Sequence, residues 1–344
     1  MQLLKNARRT SRIGSAVLAG AVLAAATPAV SAQQVEVDPR LPEYQKVSGV
    51  SGNIKSIGSD TMNNTMTLWA EGFLEIYPNV QIEIEGKGSS TAPPALISGT
   101  SNFGPMSREM KAEEIDEFES RYGYKPSPVR TCIDALAVFV HKDNPIAKQG
   151  LTLQQIDAIF SKTRRGGLDG NIRTWGDVGL TGEWANKPIS LYGRNSASGT
   201  YGYFKGNALF GGDFKDSVKE QPGSSSVVQG VASDKYAIGY SGIGYKTADV
   251  ATVPLAVDAN SKKYDANAEN AYAGDYPLAR FLRVYVNHKP GSDLDPLRRE
   301  FLKYMFSKKG QSDVIKDGYY PVSAEIAEQD LRRFGVTDYV QTEE

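Results

Sequence analysis

Hydrophobic and polar positions along the chain follow two alternating periods, which predict strands and helices in turn. Apolar residues spaced 4, 3, 4 and 3 apart, from Met62 to Ile76, predict one buried face of a helix. Residues 80–85 instead alternate between apolar and polar, as a strand does. The same patterns predict further strands at 53–57, 189–192, 237–241 and 280–286, and further helices at 111–122, 153–160, 201–210 and 297–307.

Residues 135–140 form a continuous apolar run, which is typical of a strand buried on both faces of a parallel α/β sheet. Strands followed by Gly/Ser/Thr loops and then helices predict an α/β architecture. In such folds ligands bind at the carboxyl ends of the strands. The chain has 344 residues, more than one hydrophobic core usually supports, so we expect two domains.

The first 32 residues have the pattern of a cleaved signal peptide. Four basic residues precede an apolar stretch, 14–26, that is shorter than the ~20 residues a membrane span needs. Small residues at Val30-Ser31-Ala32 fit a cleavage site. The lone Cys132 lies far from that site, so we expect a periplasmic protein that is not a lipoprotein. Residues 33–50 are polar, contain two prolines and predict a flexible tether.

Composition excludes several classes of protein. The chain carries 39 Lys and Arg against 40 Asp and Glu, and this balance argues against a nucleic-acid partner. One Cys and two His provide neither a disulfide nor a zinc site, so we expect no metal and no cofactor. The nucleophile elbow and the P-loop spacing are both absent, which disfavours an enzyme.

Four loops place small hydroxyl residues at the start of a helix or turn. Helix N-termini offer backbone N–H donors and hydroxyls add O–H donors, which together suit a tetrahedral oxyanion. Arg194 adds a planar fork that can bind two oxygens at once. The alternative is that these residues are N-caps without a ligand, and that Asp60 and Asp134 are capping or ion-paired. The loop residues are Ser59 with Thr61, Ser89 with Ser90 and Thr91, Ser107, and Ser198 with Gly199 and Thr200.

Five segments that occur in a fixed order resemble the periplasmic phosphate-binding proteins of ABC transporters. The specific parts are R-x-S-x-S-G-T over 194–200 and D-A-L-A-V over 134–138; the others are 57–61, 86–90 and 102–108. The resemblance runs from about Asn53 to about Pro321. It implies a two-domain type II periplasmic binding protein fold with mixed, mostly parallel sheets and a ligand cleft between the domains. We expect domain I over 51–141 plus 258–344, and domain II over 142–257.

The resemblance also implies which residues bind phosphate: Ser59, Asp60, Thr61, Ser89, Ser107, Arg194, Ser198, Gly199 and Thr200. Better-known members of the family have Thr at the position of Asp60, and Asp at the positions of Ser107 and Ser196. The Asp at the position of Ser107 accepts the phosphate proton. In this chain the acceptor carboxylate must therefore come from elsewhere, or selectivity differs.

That carboxylate decides specificity, because phosphate keeps a proton at neutral pH and sulfate does not. We expect Asp134 to be the acceptor, with Asp60 as the alternative, or both together. The implied function is capture of inorganic phosphate by a monomer that delivers it to the membrane permease of an ABC transporter. Alternatives are another oxyanion (sulfate, molybdate or arsenate), a phosphate-ester hydrolase, or a secreted phosphate-scavenging protein.

Overall fold

The computed structural model describes residues 35–337 and Tyr339. The predicted signal peptide lies outside the described residues. The strands are β1 (Asn53–Ile57), β2 (Gln81–Glu85), β3 (Phe103–Met106), β4 (Ser127–Ala135), β5 (Ala137–His141), β6 (Leu151–Thr152), β7 (Ser190–Arg194), β8 (Lys219–Gln221), β9 (Ala237–Ser241), β10 (Val250–Thr252), β11 (Leu255–Ala256), β12 (Ala279–Val286) and β13 (Tyr320–Pro321).

Helices cover the strands. They are α1 (Asn63–Ile76), α2 (Ala92–Ser98), α3 (Ala112–Tyr122), α4 (Ile146–Gln149), α5 (Leu153–Phe160), α6 (Gly199–Asn207), α7 (Ser224–Ser233), α8 (Ala268–Ala273), α9 (Pro296–Met305), α10 (Lys308–Lys316) and α11 (Ala324–Leu331). Among these described helices, none combines the length and the apolar content needed to cross a bilayer.

Two mixed sheets organise the fold. The first sheet has the strand order β13-β4-β12-β3-β1-β2, with β1 parallel to both β2 and β3. The second sheet has the order β10-β5-β9-β7-β8, with β7 parallel to both β8 and β9. The remaining pairs in both sheets are antiparallel: β12 with β3 and β4, β4 with β13, and β5 with β9 and β10. A third, two-stranded sheet pairs β6 parallel with β11. The expectation of mostly parallel sheets therefore holds only for the β1–β3 and β7–β9 groups and for this pair.

The apolar run over 135–140 is buried as predicted, but it is divided between the end of β4 and β5, and both strands are antiparallel to their neighbours. Strand β5 pairs antiparallel with both β9 and β10. Its residues from Ala137 to Val140 are fully buried, and α7 packs against the strand. Burial on both faces selects continuous apolar residues whatever the direction of the neighbours, so the run could not reveal strand polarity. The chain passes from the first sheet to the second at Leu136.

Helix α1 confirms the apolar stripe read from the sequence. Met66, Trp69 and Phe73 are fully buried, and the Trp69 indole N–H donates a hydrogen bond to the Gly310 carbonyl oxygen at 2.8 Å. Burying that indole without a partner would cost free energy, so this contact fixes α10 against α1. The aromatic ring of Phe73 packs edge-on against Phe301 of α9 at 5.2 Å between centroids.

Residues 35–50 differ from the predicted flexible tether. They form no helix or strand, but Leu41 is buried and the Tyr44 hydroxyl donates to Glu300 at 3.0 Å. The carboxylate of Asp38 accepts a hydrogen bond from the backbone N–H of Ala324, at the start of α11, at 2.9 Å. Polar composition suggested a free segment, yet the buried Leu41 and the hydrogen bonds of Tyr44 and Asp38 hold it against the folded body.

Asp317 provides a stability prediction that depends on pH. Its carboxylate accepts a hydrogen bond from Thr65 of α1, and burial raises its pKa from 3.8 to about 6. A carboxyl group with a raised pKa stabilises the folded state while protonated, below its unfolded pKa, and this contribution is lost as the pH rises through about 6. Between pH 4 and pH 7 the unchanged chain should lose at most about 3 kcal/mol of unfolding free energy relative to Asp317→Asn. Urea unfolding at both pH values measures this, and parallel pH profiles of the two chains would contradict it.

Candidate anion-binding site

Loops from both sheets converge at the carboxyl ends of their parallel strands, as expected for ligand sites in α/β folds. Ser59 and Thr61 follow β1, Ser89 follows β2, Ser107 follows β3 and Thr200 follows β7. The Thr61 and Thr200 hydroxyls share a hydrogen bond at 2.8 Å. The structure therefore brings these predicted loops together in one place.

The hydroxyls of Thr61, Ser89, Ser107 and Thr200 form a cluster, called here the hydroxyl cluster, and Ser107 lies at its centre. Its hydroxyl lies 3.2 Å from the Ser89 hydroxyl and accepts a longer hydrogen bond from Thr200 at 3.4 Å. The Ser107 backbone N–H donates to the Ser89 hydroxyl oxygen at 3.0 Å. All three side chains are buried, so their donors and acceptors are shielded from solvent and contact one another.

Two glycines allow the loops to approach so closely. Gly88 has φ +116°, and a Cβ there would lie 2.5 Å from the Ala197 carbonyl oxygen. A Cβ on Gly199 would lie 2.3 Å from the Ser89 hydroxyl oxygen and 2.7 Å from that of Ser107. These distances are shorter than any van der Waals contact, so no other residue fits at Gly199 while the loops remain in place.

Arg194 ends β7 and is almost fully buried. One guanidinium nitrogen donates to the Ser224 hydroxyl at 2.7 Å, and another lies 3.1 Å from the Asp60 carboxylate. Burial lowers the pKa of the Arg194 guanidinium, while the Asp60 charge opposes that shift. Its Nε and the Ser59 hydroxyl are buried without a hydrogen-bond partner. An anion near these two groups would supply the hydrogen-bond acceptors that their donors lack.

Asp60 reaches from the first sheet to the N-terminus of α7. Its carboxylate accepts hydrogen bonds from the Ser224 backbone N–H at 2.8 Å and from the Ser224 hydroxyl at 2.9 Å. Asp60 thus caps α7, which packs against the second sheet. The dipole of α7 favours negative charge at this N-terminus. The side chain remains about a quarter exposed, and the Tyr245 hydroxyl donates to its backbone carbonyl at 3.0 Å.

Asp134 is fully buried on β4 and already paired. One carboxylate oxygen accepts from the Ile243 backbone N–H at 2.9 Å. The other accepts two hydrogen bonds from Arg280, at 3.0 and 2.8 Å. The contacts that the structure gives this side chain are those of the ion-paired alternative considered from the sequence.

Ser198 acts as the N-cap of α6. Its hydroxyl oxygen accepts hydrogen bonds from the backbone N–H groups of Thr200 at 3.1 Å and Tyr201 at 3.4 Å. This cap directs the start of α6, and with it the Thr200 side chain, toward the loops of the first sheet. The capping alternative is therefore the observed role of the Ser198 hydroxyl.

Sequence reasoning missed two residues of this site, Ser224 and Arg280. Ser224 stands in a Gly-Ser-Ser-Ser tract that has no apolar period, so nothing in the sequence marked it as a helix start. Arg280 did carry a signal, because it shares an alternating buried face of β12 with Leu282 and Val284. A cation on such a face requires a buried partner, and Asp134 is that partner.

Two mixed sheets covered by helices, with hydroxyl-bearing loops from both meeting at the carboxyl ends of parallel strands, are typical of ligand-binding α/β proteins. The model of the PBP superfamily domain matches residues 44–309 of the chain. The phosphate-binding protein PstS of Pseudomonas aeruginosa strain PAO1 is 56% identical over 320 residues, covering 93% of this chain and 98% of that protein. The chain belongs to the PBP superfamily and, within it, to the PstS family of phosphate-binding proteins.

Solved structures agree with this assignment. A substrate-binding protein with bound phosphate from Clostridium perfringens is 26% identical with a TM-score of 0.66, covering 78% of this chain and 99% of that one. An ABC-type phosphate transport receptor from Vibrio cholerae has the same fold, with a TM-score of 0.60 at 20% identity, over 78% of this chain and 100% of that one. The predicted family and fold class are confirmed.

Proposed function

We propose that this chain binds inorganic phosphate between the loops of its two sheets and delivers it to the membrane permease of an ABC transporter. The observation that carries the proposal is the convergence of Thr61, Ser89, Ser107 and Thr200 beside the buried Arg194 guanidinium. Membership of the PstS family supports the same ligand.

Recognition is local. The whole chain has a formal net charge of −1, and 35 basic against 40 acidic residues remain without residues 1–32, so long-range attraction does not favour an anion. Arg194 supplies charge-assisted hydrogen bonds, and the hydroxyls supply neutral ones. In a buried cleft these donors are stronger than in water because the surrounding dielectric is low.

The loops contact each other across a boundary that we propose separates two domains. The first would comprise 51–136 with β12 and β13, and the second 137–256, which moves the first crossing from the expected His141 to Leu136. Opening between them would break the hydrogen bonds Thr61–Thr200 and Asp60–Ser224. Closing would remake them around the ligand, as hinged binding proteins do.

Asp60 is our candidate for the carboxylate that accepts the phosphate proton. The contacts that Arg194 and Ser224 make with Asp60 all use Oδ2, and the side chain stays about a quarter exposed, whereas Ile243 and Arg280 engage both oxygens of Asp134. In better-known relatives a carboxylate stands two residues after the Arg, where this chain has Ser196. Here the carboxylate beside Arg194 comes from the opposite sheet.

Titration calorimetry with phosphate and sulfate tests the proposal. We expect phosphate to bind with a clear preference over sulfate, and molybdate and arsenate complete the panel. Equal affinity for phosphate and sulfate, or no phosphate binding, would reject the function. A chromogenic phosphatase assay on the same protein tests the hydrolase alternative, and turnover there would also reject a pure binding role.

Asp60→Asn should relax the discrimination against sulfate. An amide can donate a hydrogen bond to an unprotonated oxygen, so the repulsion between the carboxylate and sulfate disappears. We expect the ratio of phosphate to sulfate affinity to fall at least about tenfold, equivalent to about 1.4 kcal/mol. Asp134→Asn is the rival variant, checked for folding by circular dichroism. If the discrimination against sulfate falls in Asp134→Asn and not in Asp60→Asn, then Asp134 is the acceptor, as expected from the sequence.

A further inference from the structure

Arg280 is a buried cation that contacts the hydroxyl cluster through Thr200. Its Nε and Nη2 donate to the Asp134 carboxylate at 3.0 and 2.8 Å. Its Nη1 donates to the Ser107 backbone carbonyl oxygen at 2.6 Å, and its Nη2 also donates to the Thr200 hydroxyl oxygen at 2.9 Å. The planar guanidinium therefore serves three acceptors in fixed directions, which a flexible ammonium cannot reproduce.

These acceptors belong to different sheets. Asp134 lies on β4 and Ser107 follows β3, both in the first sheet. Thr200 lies on α6, which follows β7 of the second sheet. The guanidinium also lies 5.0 Å from the ring centroid of Tyr203, one turn further along α6. Arg280 thus joins the first sheet to one face of α6 through a hydrogen bond and a cation–π contact.

The hydrogen bond to Thr200 determines what that hydroxyl can do. A hydroxyl has one O–H donor, and accepting from Arg280 uses a lone pair and leaves the proton free to point elsewhere. The other polar neighbours of the Thr200 oxygen are the Thr61 and Ser107 hydroxyls, both in the candidate site. Arg280 therefore directs the Thr200 proton toward the place where the anion is proposed to bind.

We propose that Arg280, held by Asp134, is a positioning residue that presents Thr200 as a donor to the bound anion and holds the two sheets together around it. This inference rests on the proposed phosphate binding. Because the contacts to Thr200 and Tyr203 exist only when the sheets are together, Arg280 should slow phosphate dissociation more than it speeds association.

Two variants of Arg280 and one matched control test this role. Arg280→Gln removes the fork, and Arg280→Lys keeps a charge for Asp134 but cannot reach all three acceptors. Arg283→Gln is the control, because Arg283 lies on the same strand and pairs with the surface residue Glu109 at 2.8 Å. Calorimetry gives the phosphate affinity, and an enzyme-coupled phosphate trap in a stopped-flow instrument gives the dissociation rate.

We expect Arg280→Gln to weaken phosphate binding tenfold to a hundredfold through faster dissociation, Arg280→Lys to recover part of the loss, and Arg283→Gln to match the unchanged chain. A folded Arg280→Gln chain with unchanged affinity overturns the inference. So does a loss that comes from slower association alone. An unchanged chain that binds no phosphate overturns the proposed function, and this inference with it.

A double variant separates positioning from general stability. If Arg280 acts through Thr200, then Arg280→Lys should weaken phosphate binding much less in a Thr200→Val background than in the unchanged chain. Fully additive losses would show that Arg280 acts independently of Thr200 and would contradict the inference.

Discussion

Replacing Arg194 with alanine should weaken phosphate binding at least about a hundredfold, a loss of about 3 kcal/mol. The substitution removes the buried guanidinium and leaves the Asp60 carboxylate without its cation, close to the proposed anion. Arg194→Lys should recover only part of the affinity, since an ammonium cannot form the two parallel hydrogen bonds of a guanidinium. Calorimetry at fixed ionic strength measures both variants.

The Arg194 result has a matched control in Arg173→Ala. Arg173 belongs to a separate surface cavity of about 480 Å³ that includes Lys162 and Lys215 and none of the site residues. Its loss should leave phosphate affinity unchanged. Normal affinity in Arg194→Ala would place the anion elsewhere in the molecule.

Gly199→Ala should also weaken phosphate binding by about a hundredfold, but for a steric reason. The added methyl group would lie 2.3 Å from the Ser89 hydroxyl oxygen, so the start of α6 could not meet the loops of the first sheet. Overpacking of this kind costs about 1–3 kcal/mol, and here the cost falls on the closed arrangement. The rise in melting temperature that phosphate causes should shrink accordingly.

Gly206→Ala is the matched control for the steric prediction. It lies on the same helix, and a Cβ there would meet no atom within 4 Å. We expect it to bind phosphate normally and to be slightly more stable, since alanine favours helices over glycine. If Gly199→Ala binds as tightly as Gly206→Ala, the loops do not close on the ligand as described.

Local pattern predicted the strands and helices whose apolar period was strong. The stripe from Met62 to Ile76 gave α1, and the Gly/Ser/Thr loops marked the carboxyl ends of β1, β2 and β7. The sequence pattern did not predict helix α7, because its first turn consists of serines and its buried apolar face has only three valines, Val227, Val228 and Val231. The pattern did not predict strand β4 either, because polar residues interrupt its apolar positions.

The site residues were predictable wherever the motif placed them at a loop, and less so where their partner is distant in sequence. The pairing of Asp134 with Arg280 spans 146 residues, and no local pattern shows which cation a buried carboxylate will meet. For the same reason the sequence could not choose between Asp60 and Asp134. The choice depends on whether one or both oxygens of a carboxylate are already engaged, and that is a property of the assembled sheets.

The proposed role of Asp60 would link selectivity to the opening and closing of the cleft. Asp60 belongs to the first sheet, but it meets Arg194 and the N-terminus of α7 only where the second sheet comes alongside. In an open cleft the Arg194 cation and the Asp60 carboxylate would be apart, and either phosphate or sulfate could enter. Discrimination would then be exercised at closure, when the carboxylate arrives. Changes that slow or loosen closure would therefore degrade selectivity as well as affinity, even where no ligand contact is altered.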